Sequence, residues 1–321
     1  MLLLKMASHN ALNCTVIHKE LQKYYLSPSY AIEFCVGFPG NLLVVLGYIF
    51  CLPHWQSYNI YLFNLAMSDL VFLCTLPRLS YLYANGQKET HSYACIINRY
   101  VLHVNLYSSI LFMVWLCMDR FLLIKHPMRD HFLQKPQTAL IVTGLSWMAV
   151  NVEVAPMISL MFQDLQHGNW SFCRDFASLK GSVNALGYSL GLTFTGYIAP
   201  LLALCGFTYQ IAHLLHVQER ALQNRAKPYK RPLRVVASAA AMFLCLYTPY
   251  HILRNIKIAS RDNWPGLDLC TGKYYIEGLY ILTRPLAFLH SVINPVFYFV
   301  MGDKFRDILF TKLRMLVRKT E

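Results

Sequence analysis

Charge is scarce in this chain. Asp, Glu, Lys and Arg make up 14% of its 321 residues, and only 16 of those are acidic against 29 basic. Soluble domains carry about 25%, so with 56% hydrophobic residues and a mean hydropathy of +0.36 a soluble enzyme is excluded. No CxxC pair or Cys/His cluster occurs, which argues against a structural or catalytic metal. No nucleophile, base and orienter stand together in a plausible site, so no enzyme and no cofactor are expected. Internal repeats, low-complexity tracts and long linkers are also missing, which leaves one domain. Met1 to Met6 is too short an apolar run for a cleavable signal, so the first helix is expected to direct insertion itself.

What the chain has is long apolar runs. Seven can be marked, at 28–50, 58–83, 95–124, 138–161, 184–213, 232–258 and 274–299, each long enough to span a bilayer as a helix. The third carries Arg99 near its start and Asp119-Arg120-Phe121 at its end. At 1.5 Å per residue those two arginines are roughly 31 Å apart, the thickness of a hydrocarbon core. The loops at 51–57, 120–137, 213–234 and 301–321 hold 16 of the 29 lysines and arginines, and the opposite set holds 10. Positive loops stay in the cytoplasm, so the N-terminus is expected outside and the C-terminus inside. The excess of positive charge reflects this bias and a basic tail near anionic lipid, not nucleic acid. Two N-x-[ST] sequons, at Asn13 and Asn169, fall in segments this orientation places outside.

Four of the ten cysteines, Cys14, Cys95, Cys173 and Cys270, lie on the outer side, where an even count allows two disulfides in three pairings. The preferred set ties Cys95 to Cys173 and Cys14 to Cys270. Cys35, Cys51, Cys74, Cys117, Cys205 and Cys245 read as small fillers of helix interfaces or borders. Prolines inside the runs, Pro39, Pro77, Pro156, Pro200, Pro249, Pro285 and Pro295, predict kinks.

The motifs resemble those of the rhodopsin-like (class A) G-protein-coupled receptors over nearly the whole chain. They are Gly40-Asn41, Asn64-Leu65-Ala66-Met67-Ser68-Asp69, Asp119-Arg120-Phe121, Trp147, Pro200, Pro249 and Asn294-Pro295-Val296-Phe297-Tyr298, in order on the seven runs. Within that family the chain is similar to the branch holding the succinate, oxoglutarate and purinergic receptors. Asn98-Arg99-Tyr100-Val101-Leu102-His103, Thr248-Pro249-Tyr250-His251-Ile252-Leu253-Arg254-Asn255 and Thr283-Arg284-Pro285-Leu286-Ala287-Phe288 carry that likeness. The resemblance implies an all-α membrane protein, a seven-transmembrane helix bundle in the plasma membrane. Residues 1–27 would be the extracellular N-terminus, 28–299 the bundle, and 301–321 a short amphipathic eighth helix and cytoplasmic tail. Lys304, Phe305, Ile308, Leu309, Lys312 and Leu313 repeat with helical spacing in that last segment.

The outer halves of the runs gather cations. Arg99 and His103 are four residues apart and share a helix face, Arg284 precedes Pro285, and Arg254 ends the sixth run. Arginines there need an anionic partner. Asp69 belongs deep in the second run, and Glu33 and Glu153 lie on the first and fourth. A small dianion would fit, one carboxylate to each guanidinium; the alternative is pairing with the outer-loop acids Asp164 or Asp175. The resemblance places carboxylate contacts at Arg99, His103 and Arg284 with Tyr30, Tyr83 and Arg254 alongside, and implies succinate or a similar four-carbon diacid. 2-Oxoglutarate or a nucleotide is the alternative ligand, and a dicarboxylate transporter the more distant reading. Lys257 stands where the family leads one to expect arginine.

On the inner side the resemblance implies Asp119 and Arg120 as a local lock, with Tyr247, Pro249, Asn294, Pro295 and Tyr298 as switch residues. Thr208 takes the place of the usual tyrosine partner of Tyr298. Asp69, Ser109 and Asn294 form the candidate sodium site, with His290 where asparagine is expected. The implied partners are a heterotrimeric G protein, Gi and in second place Gq, and membrane lipid.

Overall fold

The computed structural model describes residues 19–87, 92–126, 131–167, 175–179, 185–221, 231–262, 271–301 and 311. Among them are seven long helical rods and no strand. The first, α1, runs Lys19–Cys51. α2 consists of Ser57–Leu73 and Leu76–Ala84, interrupted at Cys74 and Thr75. α3 is Ser92–Lys125 and α4 is Pro136–His167. α5 runs from Ala185–Thr193 through a wide turn, Phe194–Ile198, into Ala199–Ala221. α6 likewise joins Arg231–Met242 to Thr248–Asp262 through Phe243–Tyr247, and α7 is Thr271–Phe288 followed by His290–Met301.

Three wide turns have one cause. Gln22–Leu26 precedes Pro28, Phe194–Ile198 precedes Pro200, and Phe243–Tyr247 precedes Pro249. A proline has no N–H to bond the carbonyl four residues back, and its ring would strike that carbonyl. Widening the preceding turn relieves the clash without ending the helix. The interruption at Cys74–Thr75 stands just before Pro77, and the one at Leu289 follows Pro285 by four residues. Pro39, Pro156 and Pro295 sit inside helices.

The rods close into a bundle, with α1 against α2 and α7, α6 between α5 and α7, and α3 touching α2, α4 and α5. Two-thirds of the apolar window of α3 is buried, against about a third or less for α1, α4 and α5. Large apolar side chains on the outer helices, among them Val36, Phe50, Ile141 and Val152, are exposed as a lipid-facing belt. Six of the rods are long and apolar enough to cross a membrane. α7 is the seventh, shortened by the Leu289 interruption and carrying Lys273, Glu277 and Arg284.

Polar side chains stitch the middle of the bundle. Asn41 Nδ2 donates to the Ser291 carbonyl at 2.8 Å, tying α1 to α7, and Trp147 Nε1 donates to Asn64 Oδ1 at 3.0 Å, tying α4 to α2. Gly40 allows the close approach of Pro295, whose Cγ would lie 3.0 Å from a β-carbon there.

The helices overrun the apolar windows. The expected 1–27 segment already turns helical at Lys19, since nothing between there and Pro28 breaks the helix. Of the six cysteines expected as fillers, all are free, but only Cys117 is buried; Cys35, Cys74, Cys205 and Cys245 are exposed on the bundle's outside. Cys95 is disulfide-bonded. Both preferred pairings involve Cys14, Cys173 or Cys270, which lie outside the described residues, as do Asn13, Asn169 and the amphipathic segment of the tail.

Candidate functional site

At the Arg99 end of the bundle, three helices turn basic or phenolic groups inward. Arg99 on α3 and Arg284 on α7 are 7% and 4% exposed. The outer segment of α2, redirected at Cys74–Thr75 and tied to α1 by the Ser27 hydroxyl donating to the Ser80 carbonyl at 2.9 Å, brings Tyr83 between them. Arg99 Nη2 donates to the Tyr83 hydroxyl at 3.5 Å and Arg284 Nη1 donates to the same oxygen at 3.4 Å. The two nitrogens are therefore at most about 7 Å apart, and at an effective dielectric near 20 their charges repel by roughly 2 kcal/mol. A pair held this way requires counter-charge.

Part of that charge comes from the chain. Asp175, just before the short turn Phe176–Ser178, places Oδ1 3.6 Å from Arg99 Nη1, and Tyr280 on α7 donates its hydroxyl to Asp175 Oδ2 at 2.5 Å. Burial pushes the Asp175 carboxyl up, but Arg284, Arg99, Lys257 and the Tyr280 hydroxyl together hold it well below the usual carboxylate range. Of the two outer-loop acids considered from sequence, Asp175 is thus the one paired with Arg99. Arg284 meets no carboxylate within 4 Å among the described residues, and its Nη2, like Arg99 Nη1, His103 Nε2 and the Tyr30 hydroxyl, makes no hydrogen bond among them. Each of these is a buried polar atom with hydrogen-bonding capacity unused, costly to leave so. His103 Nδ1 lies 2.8 Å from the Arg99 carbonyl, so that nitrogen carries the proton, and Nε2 is left facing inward. Tyr30 packs against Tyr83 with ring centroids 6.1 Å apart.

Arg254 is placed differently. Fully buried on α6, it donates Nη1 to the Tyr107 hydroxyl at 2.7 Å, and Nη2 to the Ser189 carbonyl at 3.2 Å and Thr193 Oγ1 at 2.9 Å. Its hydrogen bonds clamp α6 to α3 and α5 and do not run to the Arg99–Arg284 pair. Sequence reasoning missed Tyr107 and Tyr280. Both were marked by spacing, since Tyr107 is four residues beyond His103 and Tyr280 four before Arg284, each on the same helix face. Glu153 accepts from Thr195 Oγ1, and Glu33 is buried on α1.

At the other end of α3, Arg120 Nη2 lies 2.8 Å from Asp119 Oδ2 and 4.5 Å over the Tyr58 ring, while Ser57 donates to Asp119 Oδ1. Tyr247, at the end of the wide turn before Pro249, packs edge-on against Phe243 at 5.1 Å and near His290 at 5.4 Å. Thr208 bonds its own helix, at the Leu204 carbonyl, and Tyr209 is 72% exposed on the lipid side. The side chain of Tyr298 lies outside the described residues.

Between the two ends, Asp69 is fully buried and surrounded by donors. Oδ1 accepts from Asn105 Nδ2 at 2.9 Å, Ser291 Oγ at 2.9 Å and Ser109 Oγ at 3.4 Å, and Oδ2 from Asn294 Nδ2 at 2.7 Å. The His290 Nε2 stands 3.5 Å from Oδ1. Asp69, Ser109 and Asn294 do come together, but the groups aimed at the carboxylate are amide and hydroxyl donors and an imidazole nitrogen. The side-chain oxygens of Asn105 and Asn294, in the same cluster, are buried and make no hydrogen bond among the described residues, so oxygen ligands for a cation stand beside the carboxylate.

The described residues form a bundle of seven rods, with a buried arginine pair at one end and an Asp-Arg pair on the same central helix at the other. Residues 40–298 match the model of the 7 transmembrane receptor (rhodopsin family), and the chain belongs to that family: a multi-pass plasma-membrane receptor, not an enzyme, that takes a small-molecule ligand and couples to G proteins. It is 48% identical to succinate receptor 1 of Rattus norvegicus over 94% of each chain, and 48% identical to succinate receptor 1 of Mus musculus over 92% of each. To 2-oxoglutarate receptor 1 of Rattus norvegicus it is 33% identical over 94% of this chain and 88% of the other.

Proposed function

We propose that this receptor detects extracellular succinate, with Arg99 and Arg284 each taking one carboxylate, Tyr30 and Tyr83 completing the contacts, and His103 donating from Nε2 in its imidazolium form. The observation that carries the reading is the convergence of two buried guanidiniums, from α3 and α7, on one tyrosine hydroxyl with hydrogen-bonding capacity left over. A carboxylate already fits there, since Asp175 occupies one side of Arg99. Guanidinium and carboxylate about 4 Å apart attract by roughly 4 kcal/mol at an effective dielectric near 20, before desolvation, and the planar fork donates two parallel hydrogen bonds to a carboxylate. A four-carbon diacid is short enough to engage both arginines at once. Identity to the named succinate receptors supports the choice of diacid. Arg254 acts one step away, by fixing α6 to α3 and α5.

The diacid draws α3 and α7 together and favours the state in which the inner half of α6 swings out around the wide turn before Pro249. The Asp119–Arg120 pair then opens to a G protein of the Gi class, with Gq second. In this reading the Arg99 end faces outward, Asn13 and Asn169 carry glycans, and Cys95 pairs with Cys173 and Cys14 with Cys270.

Succinate titration of cells expressing the chain, read by cyclic AMP and calcium, tests this. Arg99→Ala and Arg284→Ala should each lower potency at least a hundredfold at normal surface level. Silence of the well-expressed parent would remove succinate and turn the search to 2-oxoglutarate.

A further inference from the structure

A third cation stands at the edge of the arginine cluster. Lys257, three residues beyond Arg254 on α6, places Nζ 3.2 Å from Glu277 Oε1 and 4.5 Å over the ring of Tyr280. On α7, Glu277, Tyr280 and Arg284 are three and four residues apart and share one stripe. The hydroxyl of Tyr280 reaches Asp175, and Asp175 reaches Arg99. One aromatic ring therefore separates the Lys257 ammonium from the carboxylate that already sits on Arg99. The lysine side chain is 10% exposed and the glutamate 34%, so the acid is on the rim and the ammonium beneath it.

We propose that Glu277 sets how many negative charges the ligand carries. By holding Lys257, it leaves the ligand two guanidiniums, Arg284 and the Arg99 it shares with Asp175, and hence room for two carboxylates. An anion with a third carboxylate would have to take Lys257 from Glu277, and would meet like-charge repulsion from the displaced acid. Removing the acid frees an ammonium beside the site and admits the third charge. This rests on the diacid reading above.

Propane-1,2,3-tricarboxylate is succinate bearing one further carboxymethyl group, and it serves as the probe. Full-length receptor carrying a surface epitope is titrated with succinate and with the tricarboxylate. Glu277→Gln should raise tricarboxylate potency relative to succinate at least tenfold, and Lys257→Gln alone should not. The double variant should return the ratio to that of the parent. Glu277→Asn carries the same expectation and covers the case in which Gln lowers the surface level. If the pair only staples α6 to α7, both single variants will shift the two ligands alike, and the proposal falls. An unchanged ratio in Glu277→Gln, with succinate still active, overturns this inference alone. A parent that ignores succinate overturns the diacid reading and this inference with it.

Discussion

Asp175 decides how the arginine pair is presented. It is the protein's own carboxylate on Arg99, and in the diacid reading proposed above a ligand carboxylate has to share or displace it. Because its acidity is raised by the neighbouring cations, the pair is fully formed above the ordinary aspartate value of about 3.9 and is lost only as pH falls through the depressed one. Across physiological pH it is therefore a constant competitor. Asp175→Asn should lower the succinate concentration for half-maximal response about tenfold, which corresponds to ~1.4 kcal/mol. The ratio of variant to parent should stay level between about pH 6.5 and 8. A variant weaker than the parent would mean that Asp175 holds Arg99 in place and does not compete. The partners of the arginines were only half legible. Arg99, His103 and Arg284 announce themselves as cations in apolar runs, whereas Asp175 lies in a loop whose path no periodicity records. Arg254 is as conspicuous in sequence as Arg284, yet it is spent on Tyr107, Ser189 and Thr193, since its direction depends on how α5 and α6 pack.

Among the elements, α5 shows why packing overrides pattern. Its wide turn places Gly196 against the ring of Tyr107, so close that any β-carbon there would overlap the ring. That approach lets Tyr107 reach across to Arg254 with its hydroxyl at 2.7 Å. The prolines were visible in the sequence and predicted kinks; that two of them, Pro200 and Pro249, are preceded by widened turns, as is Pro28 outside that set, was not, because the clash is relieved in the residues before the proline. A buried guanidinium that loses one acceptor is left with unmet hydrogen bonds, at a cost of about 1–3 kcal/mol. Tyr107→Phe should therefore lower the melting temperature of the purified receptor by several degrees. Gly196→Ala should do the same by pushing the Tyr107 ring aside, and the combined variant should add little to either, because both act on one contact. Full additivity would show that the glycine serves a separate purpose.

At the scale of the whole molecule, α3 joins the two ends, with Arg99 beside Asp175 at one and Arg120 beside Asp119 at the other. The seven apolar runs made the bundle legible, since in lipid a spanning segment has to be helical; the overruns at helix ends were not, because polar helix turns outside the hydrocarbon leave no apolar signal. Coupling between the ends follows from what a ligand can bridge. A diacid that contacts Arg99 and Arg284 together stabilises the state in which α3 and α7 are close, by an amount that grows with occupancy, about 2.7 kcal/mol at a hundred times its dissociation constant. A monoacid of equal length occupies one guanidinium and leaves the other beside it, so it has little differential affinity for the closed state and cannot shift the equilibrium. Succinate should thus drive signalling, while butyrate at matched occupancy should raise the melting temperature of the purified receptor as succinate does and yet leave signalling at its basal level. Arg99→Gln and Arg284→Gln should each reduce succinate to butyrate-like behaviour. If butyrate activates as fully as succinate, one arginine suffices for the switch, and the link between the ends runs through α3 without α7.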